Sequence, residues 1–359
     1  MVKSGPVQPP VFSIGVTTYN RKELLKQTIN SILNQTFTEF EVIVGNDYIE
    51  EALTGEQLGI DDRRVRFINH SKNLKEIGNM NELLRLANGK YFTWLADDDL
   101  YHPKFLAVIY EVLNDYDFPS AVFSSFAFIR GNNFPSFPPI AELQKKILSK
   151  QQFFHMGLDR NPQIMATNGV FDVNFLRRIG GLETLCDSGV GLYAEYIFLV
   201  KCALLETIAY VDTPLVLYRL HSGSWGQNNI ELGKYIVAGP ELIRRSAEVL
   251  RHPALKDDFD DNLIAICKLH LSAFTGKSVA IEIADKKFGV GAAYRSYSRF
   301  LEEVNKTIRL FIGEGGTEDL NVFWVFTWIR LKGIYLIFGE HAFKWSRNLL
   351  KIKQPGFNL

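Results

Sequence analysis

The chain has 359 residues, with 40 Lys plus Arg balanced by 40 Asp plus Glu. At 47% hydrophobic and 22% charged residues, it has the composition of a globular chain long enough for one sizeable α/β domain and an extension. Zero formal net charge, with no Lys/Arg-rich block in the first 300 residues, predicts no nucleic-acid groove. Cys186, Cys202 and Cys267 are too few and too scattered for a disulfide framework or a Cys-rich zinc site, which fits a reducing, cytoplasmic setting. The opening Met1-Val2-Lys3-Ser4-Gly5-Pro6 lacks the apolar core of a signal peptide, so export is not expected.

In chain order, Val11 to Val16 is a short apolar run, and Leu24, Leu25, Thr28, Ile29, Ile32 and Leu33 recur at helical spacing. Glu41 to Gly45 is again strand-like, Val65 to Ile68 a third strand, Ile77 to Ala87 an amphipathic helix ending near Asn88-Gly89, and Lys90 to Leu95 a fourth strand. Strands alternating with helices imply a mostly parallel sheet with right-handed crossovers. In open sheets of that kind ligands bind beyond the carboxyl ends of the strands. Three polar clusters fall at such ends: Thr17-Thr18-Tyr19-Asn20-Arg21, Asn46-Asp47, and Asp97-Asp98-Asp99.

The acidic run carries the most chemistry. Three adjacent carboxylates repel one another, so something positive is expected beside them. A hard divalent cation is a natural candidate, because Mg²⁺ is usually held by one or two carboxylates together with substrate phosphates. The alternatives are structural: the acidic turn caps the helix that Pro103 starts, Thr18 or Asn20 caps the helix at Lys22, and Asp47 forms a turn.

These residues together resemble the family 2 glycosyltransferases. The resemblance rests on Phe12 to Arg21, Ser31-Ile32-Leu33-Asn34-Gln35-Thr36, Glu41 to Asp47, Asn73 to Asn81, and Ala87-Asn88-Gly89-Lys90-Tyr91 leading into the acidic run and Pro103. Order and spacing agree over roughly residues 11 to 225. It implies an α/β, Rossmann-like GT-A fold in residues 1–229, with a nucleotide-sugar half at about 11–130 and an acceptor half at about 131–229. It also implies inverting transfer of a sugar from a nucleotide-diphosphate sugar, assisted by Mn²⁺ or Mg²⁺. Thr17, Thr18, Tyr19, Asn20, Arg21, Asp47, Asn79 and Asp97 would then hold the nucleotide, and Asp98, Asp99 and His221 the metal. A carboxylate at Asp47 can accept the imide N–H of uracil or thymine, which cytosine lacks, so a UDP- or dTDP-sugar is preferred. Ala96 stands where many members carry a further Asp, which leaves open which two aspartates form the working pair.

In the second half, Thr167 to Phe171 and Leu176 to Leu182 resemble the family's sugar and acceptor segment. Asn168, Gly169, Asp187, Arg219 and Trp225 are the expected sugar or acceptor contacts. Gly180-Gly181 reads as a turn after a short helix. The family's general base opens the following helix, which points to Glu195, with Asp187 in reserve; the alternative for Glu195 is an acid favourable to the helix dipole. Within Tyr218-Arg219-Leu220-His221, His221 completes the metal shell or hydrogen-bonds the diphosphate. Arg219 either stabilises phosphate charge or pairs with an internal acid.

Asn46, Lys75 and Met80 depart from the family's usual Asp, Gly and Arg. From about Ile230 the resemblance fades and residues 230–359 read as mainly helical. Residues 323–353 combine Trp324, Phe326, Trp328, Tyr335 and Phe338 with basic neighbours. That suits either a helix in a membrane interface or a tail packed on the catalytic domain or in a homo-oligomer interface. Arg330 and Lys332 interrupt the run and argue against a span. The expected partners are a nucleotide-diphosphate sugar and a carbohydrate or lipid-linked acceptor in surface polysaccharide or glycolipid assembly, in the cytoplasm or peripherally on the inner face of the membrane. A nucleotidyltransferase would need a glycine-rich phosphate loop, and Thr17 to Arg21 holds no glycine. A non-catalytic nucleotide-sugar-binding or scaffold protein with the same fold is the other alternative.

Overall fold

The structure is a computed structural model that describes residues 9–130, 137, 139–140, 142–158, 164–187, 191–221, 232–259, 262–263, 265–266 and 269. The chain divides into two compact units, residues 1–229 and 230–359. Trp225 and the whole 323–353 tail lie outside the described residues.

In the first unit the opening elements are β1 (Phe12–Thr18), α1 (Lys22–Leu33), β2 (Phe40–Asn46), α2 (Gly55–Leu58), β3 (Val65–Asn69), α3 (Lys75–Leu86), β4 (Tyr91–Ala96), β5 (Leu100–Tyr101) and α4 (Phe105–Asp115). They are followed by β6 (Ala121–Arg130), β7 (Lys145–Ile147), α5 (Lys150–Leu158), a 3₁₀ turn at Ala166–Asn168, β8 (Gly169–Asp172), α6 (Val173–Arg178), α7 (Ala194–Cys202) and β9 (Ile208–Leu220). Among the described residues the strands form one sheet in the order β3-β2-β1-β4-β8-β6-β9-β5, with β7 also on β9. The β3-β2-β1-β4 portion is parallel throughout. Antiparallel β8 then joins β4 to β6, and β9 runs parallel to β6. Hence β1 to β4, β6 and β9 all end at one edge.

The central strands are apolar on both faces because both faces are covered. On one side Leu25, Ile29 and Ile32 of α1 and Ile109, Val112 and Leu113 of α4 share a buried cluster with Phe12, Ile14 and Val16. On the other, α3 lies close against β1 and β2. A Cβ at Gly45 would fall 2.0 Å from Asn79 Oδ1, so only glycine admits the helix there. Trp94 on that face is 1% exposed, donates Nε1–H to the Met80 carbonyl at 2.9 Å and meets Phe198 of α7 edge-on at 5.6 Å. Phe198 lies three residues after Glu195, so this contact fixes where the first turn of α7 stands.

The second unit begins with α8 (Leu232–Leu250), which carries Pro240. Its buried Ala238, Leu242, Ile243, Ala247 and Leu250 keep helical spacing.

Candidate active site

The ends of β1 and β4 lie side by side, and the polar residues that follow them bond to one another. Thr18 donates Oγ1–H to Asp97 Oδ2 at 2.7 Å. Arg21 lies 3.2 Å from Asp97 Oδ1 and donates to Asp98 Oδ2 at 2.7 Å. Thr18 therefore serves Asp97 and does not cap α1, whose N-cap is Arg21 without a side-chain bond. The acidic run does not cap the following helix either, since α4 starts after Lys104 with no side-chain cap. Asn20 sits at φ +54°, in the left-handed region that Asn tolerates better than most residues.

The three aspartates part company. Burial pushes the Asp97 carboxyl up to about 6, against the pull of Arg21 and Thr18 and with a further push from Asp98. Asp99 is held well above the carboxylate range by burial and then by Asp98; its Oδ1 accepts the Arg219 N–H at 2.9 Å. Asp98 Oδ2 meets His221 Nε2 at 2.9 Å. The structure thus joins Asp98 to His221 and directs Asp99 into the β5–β9 backbone. Arg219, 3% exposed, donates Nε–H to the Asp98 carbonyl and Nη2–H to Gln27.

Among the described residues no three His, Cys, Asp or Glu side chains form a ready cation cage. One carboxylate and one imidazole at a strand end nevertheless fit Mg²⁺ or Mn²⁺ chemistry, because such an ion draws much of its shell from phosphate and water. Asp98 and His221 are the residues that would hold it.

At the end of β2, Asp47 is 5% exposed, and its Oδ1 accepts the Leu74 N–H at 2.6 Å. Burial raises its pKa, while the backbone N–H groups of Leu74 and Lys75 lower it. Asp47 therefore ties β2 to the start of α3. Tyr19, 48% exposed, meets Tyr48 edge-on at 5.4 Å; Thr17 is half-buried beside it on β1. Thr18, Asn20, Arg21, Asn46 and Tyr48 share the lining of a small depression open to solvent. Asn79 is 2% exposed, with its amide committed to the Gly45 carbonyl at 2.9 Å and to His70 at 2.9 Å.

The departures from the family pattern have local explanations. Lys75 adopts φ +61°, the conformation that makes glycine the easy residue there. Asn46, buried at the end of β2, donates its amide N–H to the Glu51 carbonyl and to Asn69 Oδ1. Met80 packs in the α3 face at 8% exposure.

Glu195 stands in the first turn of α7. Its Oε1 accepts the Ala166 N–H at 2.6 Å, and burial, with a smaller push from Glu76, raises its pKa to about 7. Asp187 is an exposed carboxylate paired with Lys75 at 3.0 Å. Asn168 is fully buried, bonding Ser124 and Met165; Gly169 begins β8 beneath Phe123 and Phe171. Gly180 and Gly181, at φ +76° and +65°, close α6 as a turn, with Gly181 N–H on the Leu176 carbonyl at 2.9 Å.

Tyr218 links the two carboxylate regions, a role its sequence position alone does not assign. It bonds Thr167 through its hydroxyl at 2.8 Å, and it feels both Glu195 and Asp99 as neighbours while burial raises its pKa well above the ordinary range. Its place in the Tyr-Arg-x-His block is the one signal in the sequence that points to it.

A parallel β3-β2-β1-β4 sheet with carboxylates at its carboxyl edge and an antiparallel strand beyond is the GT-A arrangement. Residues 13–178 match the family described as Glycosyl transferase family 2, and through this region the chain belongs to that family. It is 30% identical over 206 residues to an uncharacterised glycosyltransferase of Methanocaldococcus jannaschii, covering 55% of this chain and 66% of that protein. It is 38% identical over 93 residues to the GalNAc(5)-diNAcBac-PP-undecaprenol beta-1,3-glucosyltransferase of Campylobacter jejuni, covering 25% of this chain and 30% of that enzyme. The chain thus spans two thirds or less of the lengths of these relatives. Among solved structures, S. aureus TarS 1–349 in complex with UDP-GlcNAc superposes with a TM-score of 0.62 at 15% identity, over 93% of this chain and 92% of that one. At that identity the likeness is one of fold.

Proposed function

We propose that this protein is an inverting glycosyltransferase that moves a sugar from a UDP- or dTDP-sugar to a hydroxyl acceptor. The observation that carries the reading is the Asp98–His221 pair at the strand ends, accompanied by a separate carboxylate, Glu195, that burial raises to about 7. Glu195, raised to about 7, is tuned for taking a proton at neutral pH. It accepts the acceptor hydroxyl's proton as that oxygen attacks the anomeric carbon from the side opposite the leaving diphosphate, which inverts the configuration in one displacement.

Tyr19 and Tyr48 offer aromatic surface to the base, Asp47 an acceptor for an imide N–H, and Arg21 a cation for the diphosphate. Thr17, Thr18, Asn20 and Asp97 complete the nucleotide side, with Asn79 as the support that holds α3 against β2. Asp98 and His221, with Asp99 behind them, would hold Mg²⁺ or Mn²⁺, which supplies charge stabilisation to the departing diphosphate. Residues 11–130 form the donor half and 131–229 the acceptor half, with Asn168, Gly169, Asp187, Arg219 and Trp225 supporting the sugar and acceptor side. The C. jejuni relative, which by its name acts on an undecaprenol-linked acceptor, favours surface glycan or glycolipid assembly. The basic, aromatic 323–353 tail would serve as a peripheral membrane contact on the cytoplasmic side or as a homo-oligomer interface. No helix of the described residues is long and apolar enough to cross a membrane.

The test is calorimetric titration of UDP, dTDP, GDP and CDP with Mn²⁺ and then with EDTA. Metal-dependent binding of UDP or dTDP is expected. No binding of any of the four in Mn²⁺ would leave a non-catalytic protein of the same fold.

A further inference from the structure

Beyond Tyr218 the sheet edge carries apolar surface that the proposed reaction does not use. The β6–β9 register sets Phe126 opposite Val216 and Phe128 opposite Tyr218. The rings form one cluster, with centroids 5.6 Å apart between Phe126 and Phe128, 4.8 Å between Phe126 and Tyr218, and 6.1 Å between Phe128 and Tyr218. Its inner member, Tyr218, is 6% exposed, whereas Phe128 is 60% exposed. A phenylalanine held in water at the end of a strand forgoes the burial that its neighbours enjoy. The cluster is also continuous with the site: Tyr218 Oη meets Thr167 at 2.8 Å, and the residue before Thr167 donates its N–H to Glu195.

We propose that Phe128, backed by Phe126 and Tyr218, is the platform on which a pyranose ring of the acceptor stacks. The inference rests on the glycosyltransferase reading and names the surface that recognises the acceptor. A pyranose has a face of C–H bonds and a rim of hydroxyls. The exposed aromatic ring suits the face, and the Thr167–Tyr218 hydroxyl pair with the Glu195 carboxylate suits the rim. A lipid chain laid here would offer no hydrogen-bond partner to the half-buried Thr167 hydroxyl or Glu195 carboxylate. One ring is also far smaller than the apolar patch of a protein interface.

The experiment is saturation-transfer NMR with methyl β-D-glucopyranoside and methyl N-acetyl-β-D-glucosaminide, on the full chain with UDP and Mn²⁺. Saturation should reach the ring C–H protons of at least one glycoside in the wild-type protein. Phe128→Ala and Phe128→Leu should weaken that binding about threefold to tenfold, Phe128→Tyr should retain it, and UDP affinity should be the same in all four proteins. UDP binding without saturation of either glycoside, or equal glycoside binding by wild type and Phe128→Ala, overturns the platform and leaves the donor site standing. Failure of UDP to bind overturns the parent reading and the platform with it.

Discussion

Two carboxylates in this site, Asp97 and Glu195, stand near neutrality for the same reason, loss of solvent, and they serve different ends. Glu195→Gln should leave nucleotide binding intact and lower kcat by about 10²–10⁴, the usual worth of a general base. In the wild-type enzyme kcat/KM should rise with pH through about 7, as Glu195 loses its proton. The same shift predicts a stability effect of definite sign. A carboxyl raised from 4.5 to about 7 in the folded state destabilises the native protein once ionised, fully above pH 7 and not at all below its unfolded value. Glu195→Gln should therefore stabilise the protein by on the order of 2 kcal/mol at pH 8 and leave it unchanged at pH 4, read by urea unfolding at both. A loss of stability at pH 8 would mean that the carboxylate is not penalised there.

At the scale of elements, α3 organises both halves of the site. Asp47 takes the Leu74 N–H at its start, Glu76 takes the Gly191 N–H of the loop before α7, Asn79 holds the Gly45 carbonyl, and Asn81 holds both backbone groups of Leu182. Asn79→Ala removes the hydrogen bonds to the Gly45 carbonyl and to His70 and should cost about 1–2 kcal/mol of stability, measured by denaturant unfolding. Lys75 at φ +61° tests the first residue of the same helix. Lys75→Val should destabilise by about 1–2 kcal/mol, because a branched Cβ crowds the left-handed backbone. Lys75→Gly should come out near neutral, since relief of strain is offset by the greater freedom of the unfolded chain.

For the whole molecule, ligand binding should read out as stability. If Asp98 and His221 hold the cation and the edge holds the nucleotide, UDP with Mn²⁺ at a hundredfold excess over Kd should add about 2.7 kcal/mol to unfolding. The thermal midpoint should rise accordingly in the wild type. In Asp98→Ala the metal-dependent part of that rise should vanish. A rise that persists in the variant would place the cation elsewhere.

The parallel half of the sheet was legible because its strands and helices differ in period, and because βα units impose one handedness on their crossovers. Residues 12–18, 40–46, 65–69 and 91–96 form the four strands, each within two residues of the boundaries their patterns suggest. The site's outline was legible as well, since the topology rule sends the loops after β1, β2 and β4 to one edge. What the chain could not reveal by itself was how side chains divide their hydrogen bonds. Asn79 and Asn168 look like ligand contacts in a line of residues, yet folding buries both and commits their amides to backbone groups. Asp99 looks like a partner of Asp98, yet the β5–β9 pairing directs it to Arg219. Local pattern alone determined the four parallel strands, the helices between them and the set of polar residues at the sheet edge. The division of that set into Asp98 with His221 and Arg21, Asp97 with Thr18, and Asp99 with the Arg219 backbone was decided by the tertiary structure, because burial and partner geometry depend on segments of the chain far apart in sequence, more than a hundred residues for two of these contacts.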